Sequence, residues 1–272
     1  MAILPKQNSA AGQNIANILN EGMIKQTQRG YLGYSSSGEP CLRKLWYSFR
    51  WASDDLITKQ TKRIFDLGHT LEAEIKKDLI AHGFTITDEQ LSVEGSYGHA
   101  LGHIDGIICL PNSNDRMLLE IKTSNALAWA AIVKRGVKKE KPTHYSQMQA
   151  YMGKLGLRFC LYLCYNKNTS EYYIELVEYD ATYYSDIDRK FNSVLMSEFP
   201  PDKIGDIEYY LCQWCAFKAV CHEQAVPNIN CRTCEFVDIE MEGKWHCRLH
   251  NKNLIQDEQR IGCNKYKICK VL

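Results

Sequence analysis

Gly102-His103-Ile104-Asp105-Gly106, then Leu118-Leu119-Glu120-Ile121-Lys122-Thr123, are the two stretches on which the reading of this chain turns. Between them, Pro111-Asn112-Ser113-Asn114-Asp115 is a cluster of turn formers. Folding the two runs about a point between Asn112 and Ser113 sets Asp105 opposite Glu120, and directly opposed strand residues lie roughly 5 Å apart. Side chains alternate along a strand, so Glu120 and Lys122 share one face while Leu119, Ile121 and Thr123 take the other. Two carboxylates and an ammonium are thereby predicted to converge. Two acids at that spacing hold a divalent cation through oxygen. Such an ion acidifies bound water and stabilises charge on a phosphoryl oxygen, and a lysine beside it orients the water or neutralises growing negative charge. In the competing reading Asp105 merely opens a strand and Glu120–Lys122 is a surface ion pair, because an acid two residues before a lysine is common.

Around this hairpin the pattern alternates between helical and strand periods. From Thr58 to His82 the apolar residues Ile64, Leu67, Leu71, Ile75 and Leu79 recur at helical spacing, and Gly83 follows as a stop. Phe84–Thr87, Leu91–Val93, His103–Leu110 and Arg116–Thr123 read as strands. Ser124 or Asn125 caps a helix over Ala126–Arg135 that Gly136 ends, and Pro142-Thr143 opens another reaching Leu155. Arg158–Tyr165 and Glu171–Glu178 form a hairpin, and Asp180–Glu198 is helical until Pro200-Pro201. The expected fold is an α/β core with a central mixed sheet flanked by helices, preceded by an arm and followed by a cysteine-rich tail. The expected divisions are an arm over 1–57, a core over 58–205, a cysteine segment over 206–225 and a small module over 226–272.

Two further placements point at the same centre. Glu72 falls at the edge of the buried face of the long helix, where an unpaired carboxylate is costly; a salt-bridged edge glutamate is the plainer alternative. Gln147 and Tyr151, four residues apart, share one face of the helix opened by Pro142, and packing against the sheet would explain them equally well.

Composition narrows the class. The chain has 272 residues, 45% hydrophobic and 24% charged, with a formal net charge of +1. That is an ordinary globular balance, and it offers no global attraction for a polyanion, so nucleic-acid binding has to rest on a local patch. Lys134, Arg135, Lys138, Lys139 and Lys141 supply a candidate patch for backbone phosphates; a solvated charged loop is the alternative. No apolar run approaches about 18 residues, so no membrane span is expected. The N-terminus lacks a basic stretch followed by an apolar block, so no secretory signal is expected either. Eight of the twelve cysteines lie after residue 211. In a reducing compartment close-set cysteines more often bind metal than form disulfides.

The ordered set Gly68-x-x-x-Glu72, Gly102-x-x-Asp105, Glu120-x-Lys122 and Gln147-x-x-x-Tyr151 resembles the RecB-type branch of the PD-(D/E)xK nuclease superfamily, over about Arg63 to Tyr179. The resemblance implies a restriction-endonuclease-like core and Mg²⁺- or Mn²⁺-dependent cleavage of DNA. It implies that Glu72, Asp105 and Glu120, with the carbonyl of Ile121, bind metal. It implies further that Lys122 handles the attacking water and that Gln147 and Tyr151 help bind the strand. Some relatives carry histidine in place of Glu72, and His69 lies nearby.

The cysteines form two sets. Cys212-x2-Cys215-x5-Cys221 gives three close thiols, and Cys41 is the only cysteine ahead of the core. This layout resembles the iron–sulfur nucleases of the AddB type and CRISPR-associated RecB-like adaptation nucleases, which implies a 4Fe–4S cluster on Cys41, Cys212, Cys215 and Cys221. Four thiolates by themselves suit zinc as well. Cys231-x2-Cys234 has the knuckle spacing of a zinc ribbon, which Cys247 and Cys263 would complete; His246, His250 and Cys269 are rival ligands. That module departs from the family pattern. Cys109, Cys160 and Cys164 fall in strands and read as buried and inert.

The expected protein is a cytoplasmic, metal-dependent DNA exonuclease of a bacterium or a phage-infected cell, with an endonuclease of the same superfamily or a non-catalytic zinc or iron–sulfur nucleic-acid-binding protein as the alternatives. It would act in recombination, repair or phage replication on single strands or free ends, beside a helicase or a single-strand annealing protein.

Overall fold

The computed structural model describes residues 10–269. The chain opens with α1 (Ala10–Asn20), β1 (Met23–Lys25), β2 (Leu32–Gly33), α2 (Leu42–Phe49) and β3 (Leu56–Thr58), and then runs into the long α3 (Lys59–Ala81). Next come β4 (Thr85–Thr87), β5 (Ser92–Gly95), β6 (Ala100–His103), β7 (Gly106–Cys109) and β8 (Met117–Ser124). The helices α4 (Ala126–Arg135), α5 (Val137–Glu140) and α6 (Pro142–Leu155) follow, then β9 (Phe159–Asn166), β10 (Tyr172–Glu178) and α7 (Ala181–Met196). The tail holds α8 (Tyr210–Gln213), α9 (Lys218–His222), β11 (Val237–Ile239), β12 (Trp245–Cys247), β13 (Lys252–Asn253) and α10 (Gln256–Arg260). No helix among the described residues is long and apolar enough to cross a membrane.

Local chemistry sets the helix ends. The Thr58 hydroxyl accepts the Thr61 N–H at 3.0 Å and caps α3, and Gly83 follows at φ +87°. Asn125 caps α4 through the Ala128 N–H at 2.9 Å, Pro142 occupies the first turn of α6, and Asp180 caps α7.

The main sheet has the order β10-β9-β8-β7-β4 and is mixed: β8 and β9 are parallel and every other pair is antiparallel. The parallel pair needs a crossover, which α4, α5 and α6 supply. Each side chain of β8 is covered or half-covered. Met117, Leu119 and Ile121 pack with Ile75 and Leu79 of α3, whereas Leu118 joins Tyr162, Met148 and Phe191 on the side of α6 and α7. A sheet buried on both faces in this way carries apolar runs rather than strict alternation.

The expected single strand His103–Leu110 is two strands. β6 ends at His103 and pairs with β5 and β2 in a separate three-stranded sheet, while β7 begins at Gly106 in the main sheet. Asp105-Gly106 at the break is a turn-forming pair within the run that the strand reading passed over. The helical stripe on α3 is also shorter than its periodicity suggests: Ile64 and Leu67 are each 47% exposed, and burial begins near Leu71.

The arm is built into the same core, because Leu32, Tyr34, Trp46, Tyr47 and Phe49 share one buried cluster with Leu118, Met148 and Trp245. Lys190 of α7 holds the loop before α2 by donating to the carbonyls of Ser37 at 2.6 Å and Glu39 at 2.7 Å. At Gly38 this loop touches α6 so closely that a Cβ would lie 2.5 Å from the Thr143 Cα. Both partners there are backbone. Gly38→Ala is therefore expected to destabilise the fold by about 1–3 kcal/mol, read as a lower urea midpoint with an unchanged slope.

Candidate active site

β7 and β8 pair with Gly106 opposite Leu119 and Ile107 opposite Leu118. The same register carried one residue further sets Asp105 opposite Glu120, as the hairpin reading required. Asp105 lies half-buried in the break between β6 and β7, and its Oδ2 accepts the Ile121 N–H at 2.7 Å. Glu120 is 0% exposed in the middle of the sheet. Lys122, on the same face, forms an ion pair with Glu120 Oε1, but neither oxygen of Glu120 has a directed hydrogen-bond donor among the described residues. The competing surface ion pair is thereby set aside, since Glu120 lies in the interior, with Lys122 half-buried above it.

Glu72 is half-buried on α3, and its charge reaches both Asp105 and Glu120. Its Oε1 also pairs with Lys76 Nζ at 2.8 Å, and Lys76 reaches Glu89 at 3.2 Å. His69, the rival first ligand, is exposed. Lys76 is buried, and the sequence reading missed it; its signal was its place one turn after Glu72.

Burial pushes the Glu120 carboxyl up to about 7, with Lys122 opposing the shift and Asp105 adding to it. Asp105 is raised too, by burial first, with Lys122 opposing and Glu72 reinforcing. Burial alone would lower the Lys122 ammonium, but Glu120 and Asp105 outweigh it and hold the group above its ordinary value. These shifts describe an acid cluster short of positive charge.

Among the described residues no three His, Cys, Asp or Glu side chains form a ready metal-holding group. At the acid cluster lysines take the acids instead, Lys122 on Glu120 and Lys76 on Glu72. The donors nevertheless suit a hard divalent ion: three carboxylates and a main-chain carbonyl, one carboxylate buried with no directed donor.

α6 closes the same face. Gln147 Nε2 donates to Tyr151 Oη at 3.4 Å, and burial, then Glu120, raise the Tyr151 phenol. Tyr151 is 2% exposed and stacks edge-on against Tyr34, so it is more deeply set than expected. Gly102 makes room for it, since a Cβ there would lie 2.4 Å from Tyr151 Oη. His144 was not anticipated. Its Nδ1 lies 3.0 Å from Tyr162 Oη, and burial, then Lys122 and Lys141, press the imidazole down to about 3, so it stays neutral.

The basic run is only partly free. Arg135 pairs with Glu140 at 2.5 Å, and Lys138 lies 3.7 Å from Asp180 and 4.8 Å from the centre of the Tyr145 ring. Lys134 and Lys139 are exposed.

All twelve cysteines are free thiols. Cys41, Cys212, Cys215 and Cys221, distant in sequence, line one cavity of about 240 Å³ together with Arg43, Lys44, Lys203 and Lys218. Cys41 Sγ also caps α2, accepting the Lys44 N–H at 3.4 Å. Cys231, Cys234, Cys247 and Cys263 line a second cavity of about 650 Å³ with His250, whose Nε2 lies 3.6 Å from Cys263 Sγ. His246 turns to Asn253 instead, at 3.0 Å. Cys160 and Cys164 are buried; Cys109, at the end of β7, is only half-buried, unlike the expectation.

No family model and no curated protein matches the chain. Among solved structures it is similar to LHK-Exo in complex with dAMP, at 19% identity and TM-score 0.47, covering 61% of this chain and 86% of that one. It is similar to the alkaline exonuclease LHK-Exo from Laribacter hongkongensis, at 20% and 0.48, covering 62% and 87%. A third is SSO0001, at 16% and 0.44, covering 74% and 90%. Likeness at this level leaves the assignment to the geometry of the site.

Mn²⁺ is expected to raise the melting temperature of the chain. Saturation at about 100 times Kd contributes about 2.7 kcal/mol, or roughly 5–10 °C for a chain of this size. Asp105→Asn removes the shift. Because Glu120 takes up a proton below about pH 7, and the ion needs the carboxylate, the apparent affinity is weaker at the acid side of that value than at the alkaline side. Differential scanning fluorimetry across pH reads both effects.

Proposed function

We propose that this chain is a DNA nuclease dependent on Mg²⁺ or Mn²⁺, and that it acts as an exonuclease on single strands or free ends. The observation that carries the reading is Glu120, fully buried opposite Asp105 with Lys122 against it and Glu72 within reach. Three acids and a lysine converging inside a fold are expensive to keep unless they do chemistry.

A divalent ion held by Glu72, Asp105, Glu120 and the Ile121 carbonyl would supply water acidification and stabilise charge on the phosphoryl group. Lys122 remains protonated beside its two acids, so it donates and does not accept a proton. It orients the attacking water and balances charge gathering on the phosphoryl oxygens. Water adds to phosphorus in line and releases a proton to solvent, the P–O bond to the departing nucleotide breaks, and the departing oxygen takes a proton from solvent. Gln147 and Tyr151 position the strand from α6. The depth of Glu120 favours a single strand or a free end over continuous duplex, and a helicase or single-strand annealing protein would present it.

Cys41, Cys212, Cys215 and Cys221 fit a 4Fe–4S cluster, since four thiols share one cavity lined also by Arg43, Lys203 and Lys218, with Lys44 there paired to Glu39. The group would be structural, tying the arm to the segment that follows the core.

The test uses protein purified without oxygen, end-labelled linear DNA and closed circular DNA, with Mg²⁺ or Mn²⁺ and no ATP. Loss of linear DNA alone is expected, slowed on the order of 10²–10³-fold by Lys122→Ala. Cutting of circles would overturn the exonuclease reading. Folded protein that cleaves neither substrate would overturn the nuclease reading.

A further inference from the structure

The tail beyond residue 226 has little apolar interior of its own, and its buried Trp245, Cys247 and Leu254 pack into the main core cluster. Its strands β11, β12 and β13 have three, three and two residues, and α10 has five. Its apolar core is little more than Trp245, Cys247 and Leu254, and Asn230, Arg232, Thr233 and Gln259 are buried beside them. Units with so little apolar interior are usually stapled by disulfides or metal. Here every cysteine is a free thiol.

Four of those thiols surround one cavity. Cys231 and Cys234 come from the knuckle, Cys247 ends β12, and Cys263 follows α10, so each comes from one of three separate pieces of the module. Cys231 is close enough to Cys234, Cys263 and Cys247 to feel the charge of each.

A second observation concerns charge. Arg232, inside the knuckle, is 1% exposed. Its guanidinium donates to the carbonyls of Phe49 and Gly30 and to Gln259 Oε1, each at 2.8 Å, and lies 3.8 Å from the Trp51 ring centre and 4.4 Å from that of Trp245. Arg50 donates to the Arg232 carbonyl at 3.0 Å, and Arg260 lies 4.6 Å from the Trp51 ring centre. The hydrogen-bond and ring partners of these three arginines are carbonyls, the Gln259 amide and aromatic rings; the Glu198 carboxylate and the Cys269 thiol act on Arg50, whereas the charges acting on Arg232 are those of Arg260 and Arg50. Buried cations call for a countercharge. One zinc ion on four thiolates would carry a net charge of roughly −2 in the module that holds Arg232.

We propose that Cys231, Cys234, Cys247 and Cys263 bind one Zn²⁺, which gathers the tail into a unit and, through Arg232, fastens it to the arm at Phe49 and Gly30. Thiolate sulfur suits zinc, and each thiol releases its proton to solvent as the ion binds. The site stands apart from the acid cluster, so it holds or fails independently of the nuclease reading.

The test alkylates the full-length, zinc-loaded chain under native conditions and maps modified peptides before and after a chelator. Cys263 is exposed and Cys269 is half-buried. A free Cys263 should therefore react at least as fast as Cys269; as a ligand it should react roughly tenfold slower or less. The expected result is that Cys231, Cys234, Cys247 and Cys263 are protected together and released together by the chelator, with proteolysis near residues 226–230 rising at the same step. Cys234→Ser should lower bound zinc by one equivalent per chain. Alkylation of Cys263 at or above the Cys269 rate in the zinc-loaded chain would overturn the proposal, as would unchanged zinc in Cys234→Ser. The alkylation arm uses the unsubstituted protein, so a variant that fails to fold does not shield the idea.

Discussion

Glu120 is a carboxylate without a directed hydrogen-bond donor at the centre of the main sheet, and the surrounding layers are arranged to tolerate it. An isolated buried charge of this kind is strongly disfavoured. Lys122 answers it on the same strand, and Asp105 is steered beside it by the Ile121 N–H. α3 brings Glu72 from one side, and α6 brings Gln147 and Tyr151 from the other. Each of these elements could be stable as an apolar layer, so the acids add a burden that packing alone does not require.

The same economy of charge recurs away from the acids. Lys190 holds the arm by two carbonyls, and Arg232 holds the tail by two carbonyls, an amide and two indole rings. In both cases a cation, half-buried at Lys190 and buried at Arg232, reaches across a long sequence interval to backbone oxygen. The arm thus joins the core cluster at one end and the cysteine module at the other, with Phe49 and Trp51 sitting between them. Cys41 lies in the same arm, and each sulfur-lined cavity also meets the core directly, through Phe217 in one and through Cys247 and Leu254 in the other.

Some features were legible because they are local. Register followed from the turn cluster and the alternation of Glu120 and Lys122, and the helix ends followed from Thr58, Asn125, Pro142 and Asp180. Others escaped because they depend on what packs opposite. The Asp105-Gly106 pair marks a local turn, but that β6 leaves for another sheet there depends on what pairs with it. Ile64 and Leu67 keep the helical period, yet each stays 47% exposed. Lys76 and His144 look like ordinary polar residues until α3 and the sheet enclose them.

The sequence by itself determined which residue types could meet: acid opposite acid, lysine on the acid's face, and thiols at metal-binding spacing, since strand and helix periods are properties of the chain. Only the tertiary structure decided how deeply they lie. Depth sets the solvation of a charge, and solvation separates a surface ion pair from a carboxyl raised to about 7 at Glu120. Tertiary structure likewise brought Cys41 to Cys212 and Arg232 to Trp51, because contacts between distant segments depend on loop closure and packing that no local period encodes.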